Sequence, residues 1–182
     1  NTIWAGSGSD TLYGISGNNI LVGGTGSDTF RGGIGDNILY GDTYAATIGG
    51  VGSESALEIA NSKDVIDFSD SGVPITLNLS DSTSINYLAQ ATLTLEAKTS
   101  IGYGKNVIHN IENVLGGSGA DTLIGNNVAN VIDGAGNNDV IFGFGGIGNT
   151  LIGGAGNDTI MGLLGGDKIY GGTFDGTTAV KS

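Results

Sequence analysis

Apolar residues recur along this chain with a period of nine, always at the same place in a short unit. Residues 5–13 read AGSGSDTLY, 14–22 GISGNNILV, 23–31 GGTGSDTFR and 32–40 GGIGDNILY. The unit returns at 116–124 (GGSGADTLI), 125–133 (GNNVANVID), 134–142 (GAGNNDVIF), 143–152 (GFGGIGNTLI, one residue longer), 153–161 (GGAGNDTIM) and 162–170 (GLLGGDKIY). Position eight is always apolar: Leu12, Leu21, Phe30, Leu39, Leu123, Ile132, Ile141, Leu151, Ile160 and Ile169. Position six is always Asp or Asn, and position one is glycine except at Ala5.

This pattern predicts strands of three residues at positions seven to nine, with position eight facing inward because side chains alternate across a strand. Positions one to six predict a glycine-rich turn whose backbone enters the positive-φ region. Glycine at this density excludes helix. A three-residue strand buries nothing alone, so the units must stack around a narrow two-sided aliphatic core. Positions seven and nine then face outward. Val22, Ile124, Phe142, Ile152 and Met161 at position nine, with Ile20, Ile38, Val131 and Val140 at position seven, make that face unusually apolar. Either the connector or another molecule covers it, or aliphatic residues are there because they favour strands.

Between the arrays the unit length is lost but strand chemistry persists. Val65, Ile66 and Phe68, then Ile75, Leu77 and Leu79, then the stretch from Leu93, read as strands, and 43–60 and 80–90 read as loops. The predicted organisation is a first array at 1–42, a degenerate β connector continuing the solenoid at 43–115, a second array at 116–172 and a tail at 173–182.

The units match GGxGxDxUx and resemble the repeat of the RTX (repeats-in-toxin) family, proteins exported by type I secretion. The resemblance implies an all-β fold, a right-handed parallel β-roll, in which two units make one full turn. It also implies calcium between successive turns on the same edge, held by position-six carboxylates and by turn carbonyls. The chemistry is consistent, since Ca²⁺ takes six to eight oxygen ligands. Applied to this sequence, the rule stacks Asp10 on Asp28, and Asp121 on Asp139 on Asp158, and sets Asn19 with Asn37 and Asn130 with Asn149 on the opposite edge. Asp10/Asp28, Asp121/Asp139 and Asp139/Asp158 are therefore the expected metal sites. The expected turn ligands are at Gly6, Gly8, Gly23, Gly24, Gly26, Gly117, Gly119, Gly134, Gly153, Gly154 and Gly156. Asp167, with Asn149 below it, is expected to give a weaker site. Stacked asparagines can form amide ladders without metal, which predicts one calcium edge and one largely metal-free edge. The competing reading is that these residues only form turns. Ile15, Val128 and Asn137 stand where the family has glycine, which affects individual carbonyl ligands rather than the fold.

Composition narrows the function. Eighteen acidic against six basic side chains, a net charge of −12, argue against nucleic-acid binding and against docking to anionic lipid. Acidity can serve solubility alone or be offset by bound cations. There is no cysteine, so neither disulfides nor thiolate metal sites can staple the fold. No run is long enough to span a membrane. The sequence opens at Asn1, close to a repeat, without a signal peptide, and reads as a fragment or mature product of something larger. His109 is the sole histidine, and neither a zinc motif nor a nucleophile elbow accompanies it. The carboxylate pairs Asp64/Asp67 and Glu54/Glu58 lack the marks of a sugar cleft, so no enzyme is expected. The expected role is a calcium-binding structural or adhesive module of a secreted or cell-surface protein. It would fold on extracellular calcium and self-associate into a layer or fibre through its apolar face and open ends. The alternatives are the C-terminal secretion or folding module of a secreted protease, lipase or polysaccharide epimerase, and an ice- or polysaccharide-binding module using Thr11, Thr29, Thr122, Thr150 and Thr159.

Overall fold

The computed structural model describes residues 1–42, 63–80, 84–88, 91–94, 99–101, 106–145 and 147–172. Its strands, numbered along the chain, form two long sheets and a hairpin. The nine-stranded sheet runs β1 (Thr2–Ser7), β3 (Ile20–Thr25), β5 (Asn37–Tyr40), β11 (Asn106–His109), β10 (Thr99–Ile101), β7 (Thr76–Asn78), β13 (Thr122–Ile124), β15 (Val140–Phe142), β17 (Thr159–Met161). The seven-stranded sheet runs β2 (Thr11–Tyr13), β4 (Thr29–Arg31), β6 (Val65–Asp67), β12 (Asn113–Leu115), β14 (Val131–Asp133), β16 (Thr150–Ile152), β18 (Lys168–Tyr170). Successive units alternate between the sheets, and each strand pairs in parallel with the strand two units on: Leu12 with Phe30, Leu21 with Leu39, Leu123 with Ile141. This is the expected β-roll. The extra residue of 143–152 is absorbed in its turn, because Val131 still pairs with Thr150 and Ile132 with Leu151.

One aliphatic core lies between the sheets. Position-eight residues Leu12, Leu21, Phe30, Leu39, Leu123, Ile132, Ile141 and Leu151 are all buried in it. Ile66, Phe68, Ile75, Leu77, Leu79, Ile108, Ile111 and Val114, from outside the nonapeptide units, belong to the same cluster. The stack thins at its end, where Ile160 is partly buried and Ile169 exposed.

Several expectations need correction. Residues 80–90 are not all loop: β8 (Ser84–Leu88) pairs antiparallel with β9 (Ala91–Thr94). The alternation in Ser84-Ile-Asn-Tyr-Leu is itself a strand signal. Nor are the sheets parallel throughout, since β10 runs antiparallel to both β7 and β11. Only residues 102–105 join β10 to β11, too few for the crossover that parallel pairing requires. Val22, Ile124, Phe142 and Ile152 at position nine are buried rather than exposed. In-register stacking places Ile124, Phe142 and Met161 side by side, and with Val140 and Phe144 they form a second small cluster. Tyr13 and Val131 do remain exposed. The first rung also begins earlier than the repeat suggests. Thr2, Ile3 and Trp4 pair with Ile20, Leu21 and Val22, so Asn1–Trp4 is the end of one more unit. The loop reading of 43–60, the Glu54/Glu58 pair and the tail at 173–182 lie outside the described residues.

Candidate functional site

The position-six side chains of neighbouring coils are joined in a ladder. The backbone N–H of Asp10 donates to Asp28 Oδ1 at 2.8 Å. That of Asp121 donates to Asp139 Oδ1 at 2.7 Å, and that of Asp139 to Asp158 Oδ1 at 3.0 Å. The three expected carboxylate pairs are thus brought together, each eighteen or nineteen residues apart. Asn149 N–H donates to Asp167 Oδ1, placing Asp167 on the last described rung beside an asparagine, also as expected.

The ladder uses one side-chain oxygen and leaves the second atom of the group to decide the chemistry. In the asparagine units that atom is an amide donor. Asn19 Nδ2 reaches Gly14, Ser16 and Gly17 carbonyls and Asn37 Oδ1, and Asn37 Nδ2 reaches Gly35 O and Asn106 Oδ1. Asn1 extends this amide ladder by donating to Asn19 Oδ1. Asn130 instead turns its Nδ2 to Glu112 O and Asn126 Oδ1. In the aspartate units the second atom is an oxygen. Oδ2 of Asp28, Asp139 and Asp158 is buried without a hydrogen-bond partner among the described residues. Asp121 differs, because its Oδ2 accepts the Gly117 N–H at 2.9 Å. A buried acceptor left unpaired costs about 1–3 kcal/mol, more if charged, so the Asp28, Asp139 and Asp158 turns carry a deficit that the asparagine turns lack.

Electrostatics express the same deficit. Burial, then the Asp10 charge, raises the Asp28 carboxyl above its ordinary range, and burial raises Asp121. Asp139 is pushed up to about 7, first by burial and then by the Asp121 and Asp158 charges. Among the described residues no three acidic or histidine side chains converge on one point. A cation here would take carboxylate oxygens together with backbone carbonyls, which suits the hard, many-oxygen shell of calcium.

The glycines explain how carboxylate and carbonyl come close. A Cβ on Gly23, Gly134 or Gly153 would collide with Oδ2 of Asp28, Asp139 or Asp158. At Gly23 and Gly134 the carbonyl of the next coil, Gly41 O or Gly153 O, lies against the same spot at 2.6–2.7 Å. Gly6, Gly8, Gly24, Gly26, Gly154 and Gly156 take positive φ. Gly119 packs against Val73 and Pro74 of the preceding coil. The conformation belongs to the turn rather than to glycine, because Ile15, Ala135, Phe144 and Leu163 at position two also adopt φ of 63–70°.

The expectation of one acidic and one amide edge holds within each array but not along the molecule. One edge carries Asp10, Asp28, Asp64, Glu112, Asn130, Asn149 and then Asp167 in succession, and the other passes from Asn19, Asn37 and Asn106 to Asp121, Asp139 and Asp158. The acidic side changes edge at the connector. Asp64 and Glu112 are two further rungs, in nine-residue phase with Asp28 and with Asp121 but without the complete glycine-rich turn that marks the other units. Gly41 is position one of the Asp64 unit, which the insertion at 43–62 splits, and Glu112 follows a turn shortened to Asn110-Ile111. Their signal was the sequence that follows: Asp64-Val-Ile and Glu112-Asn-Val repeat the pattern of Asp139-Val-Ile.

Of the side chains weighed as catalytic, Asp64 is a rung of the ladder, and Asp67 and His109 are elsewhere. Asp67 sits at position nine of its strand and is ion-paired with Arg31 at 2.6 Å, away from the edge that holds Asp64. Burial works against its charge, but the Ser69 and Arg31 hydrogen bonds hold the carboxyl below its ordinary range. His109 stacks on Tyr40 with ring centroids 4.7 Å apart. No helix among the described residues is long and apolar enough to cross a membrane.

Comparison with protein families finds the RTX calcium-binding nonapeptide repeat in four copies, at residues 1–19, 13–43, 115–149 and 144–177. Together they cover more than half of the chain, including every aspartate of the three expected pairs. Comparison with curated proteins gives no match.

Proposed function

This chain belongs to the RTX calcium-binding nonapeptide repeat family, and from that premise we propose that Asp10/Asp28, Asp121/Asp139 and Asp139/Asp158 hold its calcium ions, one per pair, completed by carbonyls of the glycine-rich turns. The chain is a calcium-binding structural repeat module, and its repeat is not a catalytic motif. The observation that carries the assignment is the contrast at position six. Asparagine Nδ2 meets the turn carbonyls, whereas Oδ2 of Asp28, Asp139 and Asp158 is buried with no hydrogen-bond donor among the described residues. A cation between carboxylate and carbonyl does what the amide does in the neighbouring turns. Asp167 gives a weaker site, since its partner rung is Asn149.

The biological reading is a structural or adhesive module of a secreted or cell-surface protein, with arrays at 1–42 and 116–172 joined by the connector at 43–115. Low calcium inside the cell keeps the chain unfolded and exportable, and calcium outside drives folding, because ion binding adds directly to folding free energy. Among the described residues the stack ends in β1 and β2 on one side and β17 and β18 on the other. Ile3 and Trp4 are exposed at one end and Leu164 and Ile169 at the other. Such ends favour stacking of further units or copies. Anomalous diffraction from calcium-soaked crystals tests the assignment. Ions at the three aspartate pairs and none at Asn19/Asn37 support it, and equal occupancy on the asparagine turns refutes it.

A further inference from the structure

The large apolar side chains of the nonapeptide turns sort by edge. The five turns that lead to Asp10, Asp28, Asp121, Asp139 and Asp158 contain only glycine, alanine, serine, threonine and asparagine before the aspartate. The turns that share an edge with the stacked asparagines instead carry Ile15, Ile34, Val128, Ile147, Leu163 and Leu164, all exposed to solvent, Ile15 at 76% and Ile147 at 78%. Ile15, Phe144 and Leu163 also hold φ of 63–70°, a region costly for any residue with a Cβ and most of all for a β-branched one. In the five aspartate turns the same position is glycine or alanine. Strain kept at an exposed isoleucine, which contributes nothing to the core, points to a contact beyond the fold itself.

These side chains form two patches of different shape. In the first array Ile34 N–H donates to Ile15 O at 3.1 Å, so the two isoleucines sit on successive coils as a pair of knobs. In the second array Asn127, Phe144, Gly145, Leu163 and Leu164, from three successive coils, line a groove of about 400 Å³. Knobs and groove walls share the coil-to-coil rise of the sheets, about 4.8 Å. Within one chain they lie on opposite edges, because the asparagine edge of the first array is opposite that of the second. Charge favours the same match. The knob turns carry one charged residue, Asp36, which is exposed two residues after Ile34. Lys168, exposed four residues after Leu164, is the one basic residue of 116–172. The turns at 125–130 and 143–149 carry no charge, so two chains of net charge −12 approach there without opposing carboxylates.

We propose that Ile15 and Ile34 of one copy seat in the Phe144, Leu163 and Leu164 groove of a second copy, with Asp36 set against Lys168. The contact is heterologous. Each chain offers knobs on one edge and a groove on the other, which favours an open, staggered row of rolls over a closed pair. The contact takes only the folded roll from the calcium assignment and gives the asparagine edges a role of their own. It differs from stacking through the open ends, because the surfaces that meet are the turns along the sides.

The test is sedimentation velocity of the full chain in calcium over a concentration series, with circular dichroism to establish the β fold. Ile15→Gly/Ile34→Ser alters the knobs and Leu163→Gly/Leu164→Ser the groove, each giving its turns the residue types that the aspartate turns already use. The parent should form oligomers that grow with concentration, and each variant should weaken association about tenfold or more, the worth of burying one such side chain. An equal mixture of the two variants should give a pair and nothing larger, because the intact knobs of one then meet the intact groove of the other. A parent that is folded and monomeric at every concentration overturns the proposal. Association that survives in either variant also overturns it and leaves the open ends to carry assembly, and a mixture that stays monomeric overturns the match of knob to groove. Where a variant fails to fold, the exposed charges decide. Asp36→Lys should weaken association and Asp36→Lys/Lys168→Asp should restore it, and association indifferent to both overturns the contact. A chain with no β fold in calcium overturns the calcium reading first, and this contact with it.

Discussion

Asp139→Asn should change stability in opposite directions with and without calcium. Asp139 is the middle rung of Asp121, Asp139 and Asp158, and its Oδ1 accepts the Asp121 N–H. Asparagine keeps that acceptor and replaces the unpartnered Oδ2 with an amide, which can reach turn carbonyls as Asn19 does. Without calcium the substitution removes an unsatisfied buried acceptor, a gain of about 1–3 kcal/mol. Above pH 7, where the Asp139 carboxyl is ionised, the gain is largest. With calcium the same change weakens two sites, because Asp139 belongs to two pairs. Each site contributes up to about 2.7 kcal/mol at a free calcium concentration one hundred times its Kd. The assay is urea unfolding followed by circular dichroism in saturating calcium and again in chelator, with sucrose added to hold the ion-free chain in its folding transition. The expected result is a variant more stable than the parent in chelator and less stable in calcium. A variant less stable in chelator, or equally stable in calcium, would refute the reasoning.

Other tests follow from the same geometry. Ile15 is largely exposed with φ of 64°, so Ile15→Gly relieves about 1–2 kcal/mol of left-handed strain against a chain-entropy cost of about 0.5–1 kcal/mol; the urea midpoint in calcium should rise, and a fall would contradict the turn requirement. Phe30 is fully buried in the shared core, so Phe30→Ala should cost about 3–5 kcal/mol, enough to raise the calcium concentration needed for folding; an unchanged folding midpoint would be contrary to a single core. Asp64 is raised to about 8 and Asp139 to about 7, burial first and neighbouring carboxylates after, from an ordinary 3.8. The ion-free fold therefore holds protons that the unfolded chain has lost. Its stability from these groups is complete below about pH 4 and disappears as pH rises through 7 to 8. Calcium must displace the Asp139 proton, so its apparent affinity should weaken as pH falls from 8 to 6, with proton release in weakly buffered titrations; uptake without proton release would be inconsistent with ions at this carboxylate.

The sequence carried the fold because a nine-residue period admits few structures. Apolar residues at position eight, such as Leu21 and Ile141, specify an inward side chain on a three-residue strand, and glycine at position one leaves room for the carboxylate that folds over it. The carboxylate pairs were legible for the same reason: two units per coil put Asp10 under Asp28 and Asp121 under Asp139. Legibility failed where the glycine-rich turn failed. An insertion separates Gly41 from Asp64, and a shortened turn brings in Glu112, so neither carboxylate follows a complete turn of the repeat, although Asp64 lies 36 residues after Asp28 and Glu112 nine before Asp121. The change of acidic edge was hidden too, since it depends on β7, β10 and β11 joining the nine-stranded sheet between the arrays. Burial at position nine was misread because a lone strand exposes that side chain, while a stack of Ile124, Phe142 and Met161 lets each shield the next.

The central claim is that calcium at the aspartate turns drives this chain to fold. Calcium titration of the whole chain, followed by far-ultraviolet circular dichroism with magnesium as control, tests it most directly. The account predicts strand formation with calcium but not with magnesium, saturating near three ions, one for each aspartate pair. A β fold already complete in chelator and unmoved by calcium would contradict it, leaving the aspartates as turn formers only.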